Sequence, residues 1–293
     1  MISISLAEYY SNLKSSGVPA IYGVGDYLWI KHESFSAIRF PEFITSKPSE
    51  IEIKRVFSEL NCLIVSFCTI SDVGQSTNTI LYNCYDKNYS QNKLSKNVVR
   101  DIRIGQKNLT IEFVQWNEIL VNGFQAFHDT RTRVGLSDGT KSNFEIRFKN
   151  FALNSGHKAL ATKFNNEIVA FMSLIVIEDY VIIQGSFSTD EHRKFCPNNT
   201  LADFVLNYFL KEGQCNVVSY GLSSIQEDSG SEGLHNYKVR VGFQPINVDR
   251  SFVLHSYISP VKKQIGLLLS ILLKILPKNR KLKKAQGIFN KIR

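Results

Sequence analysis

The chain has 293 residues, with 35 Lys and Arg against 26 Asp and Glu, which gives a formal net charge of +9. Residues 261–293 hold ten of the basic residues and no acidic one, so residues 1–260 are almost neutral, at −1. This distribution argues against a folded domain with a basic nucleic-acid-binding surface. A hydrophobic content of 43% with 21% charged residues excludes a disordered or collagen-like chain.

The cysteines and histidines show no spacing typical of a disulfide framework or a metal site. None of the five cysteines forms a CxxC pair, and the six histidines include no HExxH motif. The amino-terminal residues resemble no signal peptide. The longest apolar segment, residues 265–276, is shorter than the roughly 20 residues that cross a bilayer as a helix. The sequence thus predicts a protein of the reducing cytosol without a metal.

The first part of the chain alternates short apolar runs with helical stretches. We predict a helix over residues 49–60, opened by Pro48, and strands over residues 27–30, 63–69 and 80–84. A second helix, over residues 94–105, has a basic side formed by Lys96, Arg100, Arg103 and Lys107. These cations form either a solvated face or a contact for a polyanion such as tRNA.

From residue 109 onward the predicted element order is β–α–α–β–β–β–α–β–α–β. The elements cover residues 109–113, 116–133, 143–152, 158–164, 168–177, 180–188, 201–211, 217–222, 233–242 and 252–256. The three middle strands are joined by short turns, at 165–167 and at 178–179, and therefore predict an antiparallel meander.

Four stretches carry a resemblance to a known family. They are LSKNVVRDIRIGQKNLTIEFVQ (94–115), FHDTRTRVGL (127–136), the meander with the following loop and helix (158–213), and GLHNYKVRVGFQP (233–245). The element order resembles the GNAT acyltransferase fold. The motifs resemble its Fem-type branch, which includes peptidoglycan peptidyltransferases and the FemAB-like acyltransferases of polysaccharide gene clusters.

The resemblance implies an α+β fold with a mixed, mostly antiparallel sheet flanked by helices. It implies two tandem GNAT-like lobes, a degenerate one over residues 1–93 and an acyltransferase domain over residues 94–258, followed by a tail over 259–293. It also implies a donor substrate, either acyl-CoA or aminoacyl-tRNA.

The sequence departs from the family pattern at two places. The strand that often ends in Asp-Phe-Gly ends here in Ser219-Tyr220-Gly221, so a carboxylate is missing. The glycine-rich loop that presents backbone N–H groups to the coenzyme A pyrophosphate in GNAT enzymes is replaced by Phe195-Cys-Pro-Asn-Asn-Thr. Fem-type relatives often lack that loop and use aminoacyl-tRNA. The donor-binding candidates are Asn198, Asn199, Thr200 and Asn236.

The catalytic candidates are Gln184, Ser188, Tyr220 and Lys238. Strict alternation along residues 180–188 places Gln184 and Ser188 on one face with Tyr180, Ile182 and Ser186, and this face lines either a polar cleft or a solvent-exposed surface. Tyr220 is either a general acid or a structural residue. Lys238 matches the Lys of the last family motif and either holds a donor phosphate or oxyanion or is an exposed helix residue.

The tail predicts two basic amphipathic helices separated by Pro277. Residues 262–276 are mostly apolar, and residues 278–293 place Leu282, Ala285, Ile288, Phe289 and Ile292 on one face. Such helices typically bind an anionic membrane surface. The alternatives are packing on the body of the protein, an oligomer contact and an RNA-binding arm.

Together these features predict an acyltransferase that moves an acetyl or aminoacyl group to an amine of a cell-envelope or polysaccharide precursor. The tail places it at the inner face of the cell membrane, near a lipid-linked acceptor. An aminoacyl-tRNA-dependent peptidyltransferase and a non-catalytic GNAT-like binding module are the alternatives. The oligomeric state is not predicted.

Overall fold

The computed structural model describes residues 3–32, 35–70, 79–136, 139–211, 215–223, 230–258, 260, 262–276 and 280–290. Within this part of the chain the helices are α1 (Leu6–Ser15), α2 (Glu50–Leu60), α3 (Lys96–Asn108), α4 (Trp116–Asn122), α5 (Phe124–Arg133), α6 (Lys141–Ala152), α7 (Pro197–Leu206), α8 (Gly230–Arg240), α9 (Lys262–Ile275) and α10 (Arg280–Asn290). The strands are β1 (Ala20–Tyr22), β2 (Leu28–His32), β3 (Ser36–Phe40), β4 (Ile64–Thr69), β5 (Thr79–Cys84), β6 (Thr110–Val114), β7 (His157–Phe164), β8 (Glu167–Ile177), β9 (Tyr180–Ser188), β10 (Val217–Leu222) and β11 (Gln244–Leu254). Shorter turns are 3-10 helices at Gln91–Lys93 and Glu191–Phe195 and a π-helix at Asn207–Lys211.

The chain divides into two compact units. The first unit comprises residues 1–12, 82–221 and 234–244, and the second unit comprises residues 13–81, 222–233 and 245–293. The domain boundaries at residues 93 and 258 stay a prediction.

The sheet of the first unit confirms the predicted meander. Strands β7, β8 and β9 pair antiparallel in succession, β6 pairs antiparallel with β7, and β10 lies parallel to β9. A cluster of aromatic side chains packs helices α4, α5 and α6 against β8 and β9, and its members are Trp116, Phe127, Phe144, Phe148, Phe171 and Phe187. Apolar burial of rings of this size is the main stabilising contribution to this unit.

The single helix predicted over residues 116–133 is two helices, α4 and α5, which meet at Gly123. A Cβ atom at Gly123 would lie 2.8 Å from the carbonyl oxygen of Ile119 and 3.2 Å from the ring of Phe171. Only glycine allows this close approach, so the chain changes direction here without losing contact with the aromatic cluster.

The strands of the second unit include both antiparallel and parallel pairs. Strands β1, β2 and β3 pair antiparallel in succession, β3 pairs parallel with β4, and β11 pairs antiparallel with β4. Helix α2 covers this sheet with Ile53, Val56 and Phe57 and is capped by Ser49, whose hydroxyl accepts a hydrogen bond from the N–H of Glu52. The sequence did not predict α1, β1 or β3, and β11 begins eight residues before its predicted start.

The two predicted tail helices are present as α9 and α10, but their apolar side chains differ in burial. On α10, Ile288 and Phe289 pack against Ile64 of β4 and Phe252 of β11. These two side chains are thus partly buried within their own unit, and the membrane contact predicted for residues 278–293 stays a prediction. None of the described helices is long and apolar enough to cross a membrane.

Candidate active site

In the first unit, strands β9 and β10 run together briefly and then separate. Their parallel pairing extends from Val217 opposite Tyr180 to Ser219 opposite Ile182 and continues no further among the described residues. Residues 183–188 and 220–221 thus border a gap, called here the β9–β10 opening. Backbone groups on an unpaired strand edge can bind a ligand. The N–H and C=O of Ser188 are hydrogen-bonded to the Thr130 hydroxyl, and the C=O of Tyr220 accepts from Lys238.

A β-bulge at Gln184 corrects the predicted faces of β9. Ile183 pairs with Leu174 and Gly185 pairs with Ser173, so Gln184 has no residue opposite it on β8. An extra residue reverses the alternation, and Ser186 and Ser188 therefore lie on the face opposite to that of Ile182. The prediction of one polar face from Tyr180 to Ser188 is wrong for this reason. Gln184 itself is exposed.

A hydrogen-bonded network joins the end of β9 to helices α5 and α7. The hydroxyl of Ser186 donates to the side-chain oxygen of Asn198 at 3.1 Å, and the amide nitrogen of Asn198 donates to the hydroxyl of Ser188 at 3.2 Å. Arg133 also donates to the Ser188 hydroxyl at 3.2 Å and forms an ion pair with Asp190. Ser188 is fully buried. Its hydroxyl therefore fixes the start of α7 relative to β9.

Lys238 of α8 is buried beside the β9–β10 opening rather than exposed on its helix. Only 3% of the residue is accessible, and its ammonium donates to the backbone carbonyl of Tyr220 at 2.9 Å. The ammonium also lies 4.2 Å from the ring centre of Tyr82 and 4.9 Å from that of Tyr220. Cation–π contacts of this kind stabilise an ammonium group that has left water. The structure thus fixes a positive charge next to the end of β10.

Tyr220 lies between the Lys238 ammonium and the hydrogen-bonded network at the end of β9. Burial raises the pKa of its phenol to about 12, and hydrogen bonds with Ser186 and Tyr237 lower it in part. Burial likewise raises the pKa of Tyr237, whose hydroxyl donates to the backbone carbonyl of Asn198 at 2.9 Å. Both phenols are therefore protonated at neutral pH, and Tyr220 has a proton to donate.

The first turn of α7 holds three of the four predicted donor-binding residues. Pro197 has no N–H, and the N–H of Cys196 donates to the carbonyl of Arg193, which leaves those of Asn198 and Asn199 as the first-turn donors. Thr200 is fully buried, with its hydroxyl on the Cys196 carbonyl at 3.1 Å.

The structure therefore brings together Ser188, Asn198, Tyr220 and Lys238, partly through two residues that were not among the predicted catalytic or donor-binding candidates. These are Ser186 and Tyr237, and the Tyr-Lys pair in GLHNYKVRVGFQP was the available signal for Tyr237. Two other candidates, Gln184 and Asn236, are exposed and belong to none of the hydrogen-bonded groups described above.

A groove of about 610 Å³ runs along α3 in the same unit. Its cations share one face of the helix because they are spaced by four, three and four residues: Lys96, Arg100, Arg103 and Lys107. Val99 and Ile104 supply apolar lining, and Gln91 and Asn92 supply amide groups. Within the described residues, no group of three or more His, Cys, Asp or Glu side chains is placed to hold a metal ion.

Solved structures share this fold at low sequence identity. FemX matches 86% of this chain and 91% of its own, with a TM-score of 0.56 and 11% identity. The C-terminal domain of a putative lysylphosphatidylglycerol synthetase from Agrobacterium fabrum matches 82% of this chain and 85% of its own, with a TM-score of 0.54 and 14% identity. L-PGS from Bacillus licheniformis matches 85% and 93%, with a TM-score of 0.50 and 12% identity. No protein-family model and no curated protein matches the sequence.

At these identities the likeness concerns the fold alone. From β6 to β11 the observed helices and strands follow the order predicted from the sequence pattern, apart from the division of one helix into α4 and α5. The chain therefore shares the fold of FemX and of the lysylphosphatidylglycerol synthetase domain.

Proposed function

We propose that this chain is an acyltransferase that moves an acyl or aminoacyl group to an amine of a cell-envelope or polysaccharide precursor. The observation that carries the proposal is the β9–β10 opening, where an unpaired strand edge lies beside a protonated Tyr220 and the buried ammonium of Lys238. These are the elements that acyl transfer requires: backbone donors for an oxyanion, a proton source and a fixed positive charge.

The reaction we propose is a direct transfer. The amine nitrogen of the acceptor attacks the carbonyl carbon of the donor, and a C–N bond forms. The C–S bond of a thioester or the C–O bond of an aminoacyl ester then breaks, and the leaving group takes the proton that Tyr220 donates. The ammonium that forms on the acceptor loses its proton to solvent or back to the Tyr220 phenolate. Holding both substrates in the opening lowers the barrier by up to about 7–11 kcal/mol.

Between the two donor classes, the groove on α3 favours aminoacyl-tRNA. Its four cations extend over twelve residues of helix, about 17 Å, and can contact several phosphates of a nucleic-acid backbone. The groove has no aromatic lining, so it would contact phosphates rather than stacked bases. The start of α7 also favours aminoacyl-tRNA over acyl-CoA. It offers two backbone N–H groups and lacks the glycine-rich loop that binds the coenzyme A pyrophosphate.

The acceptor we propose is lipid-linked and lies at the inner face of the cell membrane. One structural neighbour is the C-terminal domain of a putative lysylphosphatidylglycerol synthetase, a protein named for the linkage of lysine to phosphatidylglycerol. The resemblance to this domain supports an acceptor in the cell envelope.

The direct test supplies purified full-length protein with labelled acetyl-CoA or with tRNA carrying a labelled amino acid. Amine-bearing sugar nucleotides and lipid-linked peptidoglycan precursors serve as acceptors, and mass spectrometry identifies the product. We expect transfer from charged tRNA. Transfer from acetyl-CoA alone would contradict the donor assignment, and transfer from neither would favour the non-catalytic binding module.

A paired variant tests the role of the groove. Replacing Arg103 and Lys107 with Glu should abolish transfer from charged tRNA and leave the melting temperature unchanged, because both side chains are exposed. The matched control is Lys211→Glu, an exposed cation outside the groove. Equal loss in the control would show that net charge rather than the groove is responsible.

A further inference from the structure

Helix α9 of the second unit presents apolar side chains outward, the reverse of an ordinary surface helix. Leu267, Leu268, Ile271 and Ile275 are 66%, 56%, 46% and 68% exposed. Their spacing of one, three and four residues places them on a single side of the helix, called here the outer face of α9. Large apolar side chains that are exposed together on one face indicate an interaction surface.

The other side of α9 is less exposed. Ile265, Leu269 and Leu272 are only partly exposed, and α9 packs against α10. Helix α10 is in turn fixed to the sheet of its unit through Ile288 and Phe289. The hairpin of α9 and α10 therefore holds the outer face of α9 away from the core of its own unit.

We propose that the outer face of α9 binds the surface of an anionic lipid bilayer. The charge of the segment decides between this partner and a protein: residues 261–293 carry ten basic residues and no acidic one, and Lys274 is exposed beside the apolar stripe. An apolar stripe with basic neighbours complements a membrane whose acyl chains lie beneath negative headgroups.

The size of α9 determines how it binds. Its 14 residues extend about 21 Å, less than the roughly 30 Å of the hydrocarbon core, so the helix lies along the interface instead of crossing it. Because α10 is docked on the sheet, α9 supplies the apolar insertion and α10 supplies its attachment to the protein. This assigns the membrane contact to one face of one helix.

The test measures co-sedimentation of the full-length protein with lipid vesicles in the absence of any donor, so its outcome is independent of transferase activity. One set of vesicles is phosphatidylcholine, and the other contains phosphatidylglycerol and phosphatidylcholine in equal amounts. We expect binding to the anionic vesicles, weakened by salt. In the double variant Leu268→Gln with Ile271→Gln we expect binding to fall by at least about tenfold.

The matched control is Ile51→Gln, which removes a side chain that is 80% exposed on α2 of the same unit. It should bind vesicles like the unchanged protein, and all variants should melt at the same temperature because the replaced side chains are exposed. Anionic vesicle binding that survives the double substitution would overturn the proposal. A second result would also overturn the proposal. It is a dimer, detected by light scattering, that the double substitution converts to monomers, in a protein that does not bind vesicles. A second copy of the chain would then cover the outer face of α9.

Discussion

Both units of the chain bury charged side chains, and the two arrangements differ in what surrounds the charge. In the second unit, the carboxylate of Glu52 accepts hydrogen bonds from the Tyr27 hydroxyl, the Trp29 indole and the Val24 N–H, at 2.8, 2.8 and 3.1 Å. In the first unit, the ammonium of Lys238 lies at the point where β10 leaves β9. The first charge organises a closed core, whereas the second borders an opening.

The comparison of Glu52 with Lys238 shows that burial of a charge does not by itself identify an active site. Glu52 is surrounded by donors from β2 and from the segment before it, so its charge is used within its own unit. What distinguishes Lys238 is the unpaired strand edge beside it and the neighbouring phenol of Tyr220. We therefore expect loss of Glu52 to reduce stability and loss of Lys238 to reduce activity.

The largest effect on stability is expected from Glu52→Ala. The substitution leaves an indole N–H and a phenol O–H buried without their acceptor, and we expect a loss of about 3–5 kcal/mol in the free energy of unfolding. Urea denaturation measures it. Glu52→Gln, which keeps an acceptor oxygen, should lose less. Equal stability of Glu52→Ala and the unchanged protein would show that this network is not structural.

A smaller effect, confined to activity, is expected from Lys238→Met, which keeps the apolar stem and removes the charge. We expect kcat to fall about 100-fold while KM for the donor changes little, because Lys238 acts through the Tyr220 backbone as a positioning residue. Lys87→Met, an exposed lysine of the same unit, is the control. A rise in KM with unchanged kcat would instead place Lys238 in direct contact with the donor.

The smallest effect concerns pH. Burial, together with the charge of Arg147, lowers the pKa of His157 to about 3, against about 6.5 in an unfolded chain. The unfolded chain therefore takes up a proton that the folded chain excludes, and stability is lost as the pH falls below about 6.5. Between neutral pH and pH 5 we expect a loss of about 2 kcal/mol from this residue. His157→Phe should remove that part of the pH slope in urea denaturation, and an unchanged slope would contradict this account of His157.

The parts of the fold that could be predicted are those that depend on local periodicity. The alternation in residues 158–188 was sufficient for the three-stranded meander, and the bounds of β9 and β10 agree with the prediction. The bulge at Gln184 could not be predicted, because it depends on how Ser173 and Leu174 align across the strand pair. One inserted residue then moved Ser186 and Ser188 to the other face.

In the candidate active site, too, local sequence patterns were sufficient to identify residues but not to predict their contacts. Lys238 was identified from its motif, but its burial depends on Tyr82, which lies 156 positions earlier in the chain and carries no local signal. The tail gives a second example. Its sequence predicts two amphipathic helices, yet only the docking of Ile288 and Phe289 determines which of the two remains uncovered.

The most direct test of the account is single-turnover acyl transfer by the Tyr220→Phe variant. The substitution removes one hydroxyl next to Ser186 and Tyr237 and keeps the ring against Lys238. We expect a transfer rate reduced about 100-fold, with unchanged donor affinity and melting temperature. A rate within about twofold of the unchanged protein would contradict the assignment of the β9–β10 opening as the site of acyl transfer.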